Sequence, residues 1–246
     1  MAPVAATILI ASFAARTAAA DPVQVSGPNW AGYAATAPSG TTLSFTSTQG
    51  EWREPAVSCG AGFAGTKSAI WVGLGGFVGN GLEQIGTNAN CDSRGRPAYS
   101  AWFELLPYIA YPIKAKVRPG DLLDASVTVT GYAVRLQLRN LTRGWTVTKN
   151  LSSDAPDTSS AEWIVEAPMK CSAYQCSEAR LANFGSVSIT NVSVATTSIS
   201  GGLDDPSWSL SSIRLTPADP AAAPGAAPGP VSADGQAFSV LWSPAG

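Results

Sequence analysis

The 246-residue sequence contains no histidine. That absence removes Ser-His and Cys-His nucleophilic catalysis, His-ligated zinc, haem held by a proximal His and imidazole pH switching. Charge is also scarce: 13% of residues are Asp, Glu, Lys or Arg, and a net charge of -2 comes with no basic run. Globular proteins carry about a quarter. Neither a nucleic acid nor an anionic membrane finds its electrostatic footprint here. Beyond residue 20 no segment approaches the ~18 uninterrupted apolar residues that a membrane span needs. Helical periodicity is missing as well, with Ser177 to Ala182 making at best one turn. Chemistry in this chain rests on carboxylates, amides, hydroxyls, thiols, Lys, Arg or Tyr.

What is present is one strand pattern after another. Leu43-Ser-Phe-Thr-Ser-Thr alternates, as do Ala125-Ser-Val-Thr-Val-Thr, Val134-Arg-Leu-Gln-Leu-Arg, Trp145-Thr-Val-Thr and Val187-Ser-Ile-Thr-Asn-Val-Ser-Val. A period of two puts apolar residues on one sheet face and Ser, Thr or Arg on the other. Turn signals fall between them at Pro119-Gly120-Asp121, Thr130-Gly131, Arg143-Gly144 and Gly201-Gly202. The expectation is an all-β fold, an antiparallel β-sandwich of two long sheets in one domain spanning residues 21–216. Residues 217–230, rich in Pro, Ala and Gly, are expected to be an extended loop without a core role. Residues 231–246 then carry a final strand back to the same sandwich, since about ten residues cannot fold alone.

Residues 1–20, small and apolar up to Ala18-Ala19-Ala20, read as a secretory signal peptide, although no Lys or Arg precedes the apolar part. The protein is thus expected outside the cell. Four cysteines fit that compartment. Cys59–Cys91 and Cys171–Cys176 are the expected disulfides, one of three possible pairings; a zinc site would need C-x2-C knuckles that are missing. Asn140, Asn150 and Asn191 open glycosylation acceptor patterns.

Several residues are odd for their setting. In Leu82-Glu83-Gln84-Ile85-Gly86, Gln84 shares a face with Leu82 and Gly86. In Ala161-Glu162-Trp163-Ile164-Val165-Glu166, the two glutamates share a face with Ile164, away from Trp163 and Val165. Trp102 and Glu104 share another. Acids and aromatics gathered on sheet faces, in so uncharged a chain, suggest a groove for a polar polymer. The plainer reading makes them solvent-side residues of a half-exposed sheet, with Trp30, Trp102 and Trp163 packed in the core.

These residues carry a resemblance. Asn29-Trp30-Ala-Gly-Tyr33, Trp71-Val-Gly, Leu82-Glu-Gln84-Ile-Gly86, Ala101-Trp102-Phe-Glu104 with Pro107, Ala161-Glu-Trp-Ile-Val-Glu166 and Asp234-Gly-Gln-Ala-Phe-Ser-Val-Leu-Trp242 occur in the order found in the eqolisins, the glutamic peptidases first recognised in fungi. The resemblance implies a metal-free and cofactor-free endopeptidase, monomeric, acting on polypeptides in acid surroundings. It places the catalytic pair on Gln84 and Glu166, the site tryptophan on Trp71 and the assisting acid on Glu104. One departure is Gly75, where fungal members carry an aspartate. The alternative is a carbohydrate-binding or glycoside-hydrolysing sandwich. Against hydrolysis, Glu162 and Glu166 on one extended strand lie about 13 Å apart, beyond either usual carboxylate separation.

Overall fold

A computed structural model describes residues 20–171, 176–219 and 223–245, without the side chain of Cys171. The expected signal peptide, apart from Ala20, lies outside the described residues. Strands follow one another as β1 (Val23–Gly27), β2 (Trp30–Thr36), β3 (Phe45–Arg53), β4 (Ala69–Gly75), β5 (Leu82–Cys91), β6 (Pro97–Leu105) and β7 (Tyr111–Ile113). They continue as β8 (Leu122–Thr130), β9 (Ala133–Asn140), β10 (Trp145–Ser152), β11 (Ser160–Glu166), β12 (Met169–Cys171) and β13 (Cys176–Glu178). The remainder are β14 (Ser186–Thr196), β15 (Ser200–Gly201), β16 (Ser209–Leu215), β17 (Gly225–Pro228) and β18 (Phe238–Ser243). A single 3-10 turn at Ala61–Phe63 is the one helical element among the described residues, so none is long and apolar enough to cross a membrane.

Hydrogen bonding runs through one long sheet in the order β10-β9-β8-β3-β14-β18-β17-β16-β2-β11-β4-β5-β6-β7. It doubles back on itself into two layers. The indole of Trp163 on β11 donates to the Gln49 carbonyl on β3 at 2.7 Å, and β4 and β5 lie against β8. Between the layers sit Trp52, Val72, Leu74, Ile85, Leu123, Leu136, Leu138 and Trp163, all essentially without exposure. Period-two alternation puts these residues inward and their neighbours outward, as the sequence implies. The fold is the all-β antiparallel sandwich that the strand pattern calls for.

The Pro/Ala/Gly segment departs from expectation. Within it, Gly225–Pro228 forms β17, which pairs with both β16 and β18 and joins the two layers. Gly225 and Ala226 are buried. Small side chains fit this crowded junction: a Cβ on Gly225 would lie 2.7 Å from the Leu215 carbonyl. A composition that reads as a linker here serves close strand approach. Pairing of β18 with β14 brings the C-terminal strand into the same sheet.

Cys59 and Cys91 form a disulfide with a Cα separation of 5.7 Å, tying the segment after β3 to the end of β5. Cys171 and Cys176 face each other across the β12–β13 hairpin and Cys176 is disulfide-bonded, while the Cys171 side chain lies outside the described residues. Asn140 is buried and donates to Asp121, which makes it a structural residue rather than a glycan acceptor.

Candidate active site

The outer face of the layer β2-β11-β4-β5-β6 carries a second, smaller apolar cluster of Ala34, Ala69, Trp71, Leu82, Trp102, Ile164 and Ile213. Register explains how it forms. Trp71 lies opposite Ile164 on one side and Gly86 on the other, and Gly86 lies opposite Trp102. A Cβ on Gly86 would sit 2.6 Å from the Trp71 Cβ and would run into the Ile70 carbonyl, so only glycine lets the tryptophan lie against this strand. Trp163 belongs to the inner core, whereas Trp30 and Trp102 pack on this outer cluster.

Polar groups flank that tryptophan row on both sides. On one side, Gln84 of β5 pairs in register with Glu104 of β6, and its Nε2 donates to Glu104 Oε2 at 2.6 Å. Gln84 Oε1 is buried without a hydrogen-bond partner. The amide therefore keeps one N–H and its carbonyl unspent. On the other side, Glu166 lies at the end of β11, in register with Trp30 and Ala69. Its Oε2 accepts from Trp71 Nε1 at 2.8 Å and its Oε1 from Asn29 Nδ2 at 3.3 Å. Asn29 is fixed by its own carbonyl, which accepts from the Ala167 amide at 2.8 Å. Trp30 packs edge-on against Trp71 with ring centroids 5.0 Å apart. Gln84, Glu104, Trp71 and Glu166 thus share one face.

Burial governs the electrostatics of this face. Glu166 is pushed up to about 7, first by desolvation and then by the charge of Glu104; the donors Trp71, Trp30 and Asn29 pull the other way. Glu104 is also raised by burial, against hydrogen bonds from Gln84 and the Ala110 backbone. Among the described residues no group of three or more Cys, Asp or Glu side chains is arranged to hold a metal ion.

Sequence reading missed several members. Asn29 and Trp30 were family landmarks there, yet they are the groups that hold Glu166. Glu162 shares the face of Glu166 but is fully buried, with the Ser160 side chain beside its carboxylate. Its pKa is driven well above the usual range by burial, with Asp157 and Glu83 raising it further. It is a core acid, not a solvent-side one. Glu83 accepts from the Asp157 amide at 3.2 Å and is raised to about 7, again mainly by burial. Gly75 has a clear reason: the space its Cβ would take is filled by Asp157, whose side chain also crowds Gly79 and Gly81. An acid near this place thus comes from the segment before β11 rather than from β4.

With that geometry in hand, comparison with known proteins gives a class. Residues 28–213 match the Peptidase A4 family, and the chain belongs to it; it is a peptidase. The fold is similar to scytalido-glutamic peptidase with a transition state analog inhibitor, at 24% identity and a TM-score of 0.70, covering 87% of this chain and 98% of that one. SCP-B, an eqolisin family member in a complex with the tripeptide Ala-Ile-His, matches at 22% identity and 0.65 over the same shares. Aspergilloglutamic peptidase from Aspergillus niger matches at 25% identity and 0.54, over 72% of this chain and 99% of that one. No curated protein sequence matches.

Proposed function

We propose that this chain is a secreted glutamic endopeptidase in which Glu166 and Gln84 act together on a water molecule at the scissile carbonyl. Glu166, ionised, takes a proton from the water as it attacks, then returns it to the departing amine. The unspent N–H of Gln84 donates to the carbonyl oxygen as negative charge builds there, and its Oε1 helps orient the water. Glu104 fixes which way the amide points: an Nε2 facing a carboxylate is favourable, an Oε1 facing it is not. Trp71 holds Glu166 and walls the site with Trp102 and Leu82, keeping it partly dry and its polar contacts strong. The single observation carrying this reading is the amide–acid pair on one sheet face, each member held by its own partners and each on the flank of one tryptophan.

The pH range follows from the same groups. Glu166 must lose its proton to act as base, so activity rises with pH toward about 7. Buried Glu54 and Glu83, raised to about 8 and about 7, favour the folded state when protonated, so stability falls over the same interval. The working range therefore lies on the weakly acidic side of neutrality, milder than strongly acid conditions. Export is supported by the disulfide, which persists in oxidising surroundings. The test is digestion of an unfolded protein across pH by wild type, Gln84→Ala and Glu166→Gln: both variants lose cleavage while keeping their fold. Inhibition by chelators or by serine reagents would contradict the mechanism.

A further inference from the structure

The outer face continues past the Gln84–Glu166 pair toward its β7 edge, and its rows can be followed from strand to strand. Glu166 lies opposite Ala69, Ala69 opposite Asn88, and Asn88 opposite Ser100. These side chains share the parity of Ile164, Trp71, Gln84 and Trp102, so the row lies on the same face as the pair. β7 carries the register one strand further, with Pro112 opposite Trp102 and Ile113 opposite Ala101, which leaves Lys114 beside Ser100 at the end of the row. The neighbouring row holds Ile164, Trp71, Gly86 and Trp102, a ridge of two indoles. Side chains in the Glu166 row are short by contrast. Exposure grows along it, from buried Ala69 through half-buried Asn88 to exposed Ser100 and Lys114. The Asn88 amide donates to the Ser100 hydroxyl at 3.1 Å. From β11 through β4, β5 and β6 to β7 the row spans roughly 19 Å, which an extended peptide covers in about six residues.

Lys114 opens a series of exposed cations. Lys114, Lys116 and Arg118 alternate with half-buried Ala115 and buried Val117, so all three charges face solvent. None of the three joins an ion pair among the described residues; the pairs there are Arg96–Asp92, Arg139–Asp124 and Arg143–Asp121. The segment is held in place by its backbone: Trp145 Nε1 donates to the Lys116 carbonyl at 3.1 Å, and the Arg118 amide donates to Asp121 at 2.9 Å. Asp121 is itself buried and committed to Arg143 at 2.6 Å. In a chain with 13% charged residues, three unpaired cations so close together mark a surface that attracts an anion. We propose that Lys114, Lys116 and Arg118 form a docking strip for an acidic stretch of the polypeptide being cut, about five to eight residues from the scissile bond. The assignment deepens the peptidase reading and rests on the Gln84–Glu166 pair, because the row is measured from Glu166. Close to the bond the face carries Glu104 and Glu166, whose charges already oppose each other, so an acid is unwelcome there. Each exposed ion pair contributes little by itself; the three together lower KM by about three- to tenfold at low salt.

Peptides built on one shared core supply the test. A core that wild type cleaves is extended, on its N-terminal or its C-terminal side, by an uncharged spacer. Asp-Asp-Asp, Gln-Gln-Gln or Lys-Lys-Lys then starts about six residues from the bond. KM and kcat are measured for wild type and for Lys114→Glu/Lys116→Glu/Arg118→Glu at about 20 mM and about 500 mM NaCl. On one of the two sides, wild type at low salt gives the Asp peptide a KM about three- to tenfold below that of the Gln peptide, and the gap closes at high salt. In the triple variant the order reverses and the Lys peptide has the lowest KM. Equal KM for the three peptides in wild type at low salt, on both sides, overturns the strip, as does an Asp preference that survives in the triple variant. Should circular dichroism show the triple variant unfolded, Lys114→Gln/Lys116→Gln takes its place, and an unchanged Asp-to-Gln ratio there overturns the strip. Moving the Asp triplet to about two residues from the bond removes the gain; a gain that persists contradicts the placement. Glu166→Gln that cuts the core as well as wild type brings down the catalytic pair, and with it the row from which the strip is placed. Loss of the Asp preference alone leaves the pair standing.

Discussion

Two glutamates of similar acidity invite comparison. Glu54 and Glu166 each accept from a tryptophan indole, Trp52 at 3.4 Å and Trp71 at 2.8 Å, and each is raised far above the ordinary value of 4.5 chiefly by burial, to about 8 and about 7. Their surroundings differ. Glu54 is 1% exposed between the layers, with Thr87 donating to it at 2.6 Å and its other oxygen facing no donor. Glu166 is only half-buried, beside an open cavity, and on the same face as an amide with unspent hydrogen-bonding groups. A raised pKa marks desolvation; access and a second polar group on the same surface are what make an acid able to do chemistry.

The largest effect that separates them is catalytic. Glu166→Gln should lower kcat/KM by about 10³-fold or more, because a neutral amide cannot take the water's proton. Glu54→Gln should leave cleavage near wild type, since it touches only the inner core. Steady-state kinetics on one peptide decides both, and equal losses would break the distinction. Gln84→Ala comes next, with a loss of about 10²- to 10³-fold from removal of the oxyanion donor and little change in Tm.

Stability sharpens the contrast from the other side. In the folded state Glu54 holds its proton up to about 8, while the unfolded chain releases it near 4.5. Folded protein therefore binds more protons between those values. Stability present below 4.5 is lost as pH rises toward about 8, by about 1.4 kcal/mol for each pH step of one across that window. Thermal unfolding should show Tm falling across that window in wild type and falling less in Glu54→Gln. A flat wild-type profile would show that this acid is solvated in the folded protein. The smallest effect belongs to Glu104→Gln. Removing the charge that raises Glu166 should move the rising limb of the pH–rate profile to lower pH, with kcat reduced modestly by the loosened amide.

Alternation showed which side chains of one strand share a face; that Gln84 and Glu166 belong together was implied only by the family resemblance. Leu82-Glu-Gln84-Ile-Gly86 and the strand ending at Glu166 show which side chains point together, and register does the rest. What alternation cannot show is depth. Glu83 and Glu162 look like ordinary strand acids, yet the segment around Asp157 folds over the strand ends and seals them. Glu54, just past the end of β3, is buried against Thr87 of β5, a partner 33 residues away that no window of sequence records. β17 was hidden for another reason: Ala, Gly and Pro at a tight junction have the composition of a linker. Glu166's hold on Asn29 was hidden too, because the two are 137 residues apart in the chain.

One measurement bears most directly on the amide–acid pair: kcat/KM of purified Glu166→Gln against wild type on the same unfolded substrate at the wild-type pH optimum, with Tm recorded for both. A loss of about a thousandfold at unchanged or higher Tm is the expected result. Activity within about tenfold of wild type, in a variant that is folded, would contradict the account.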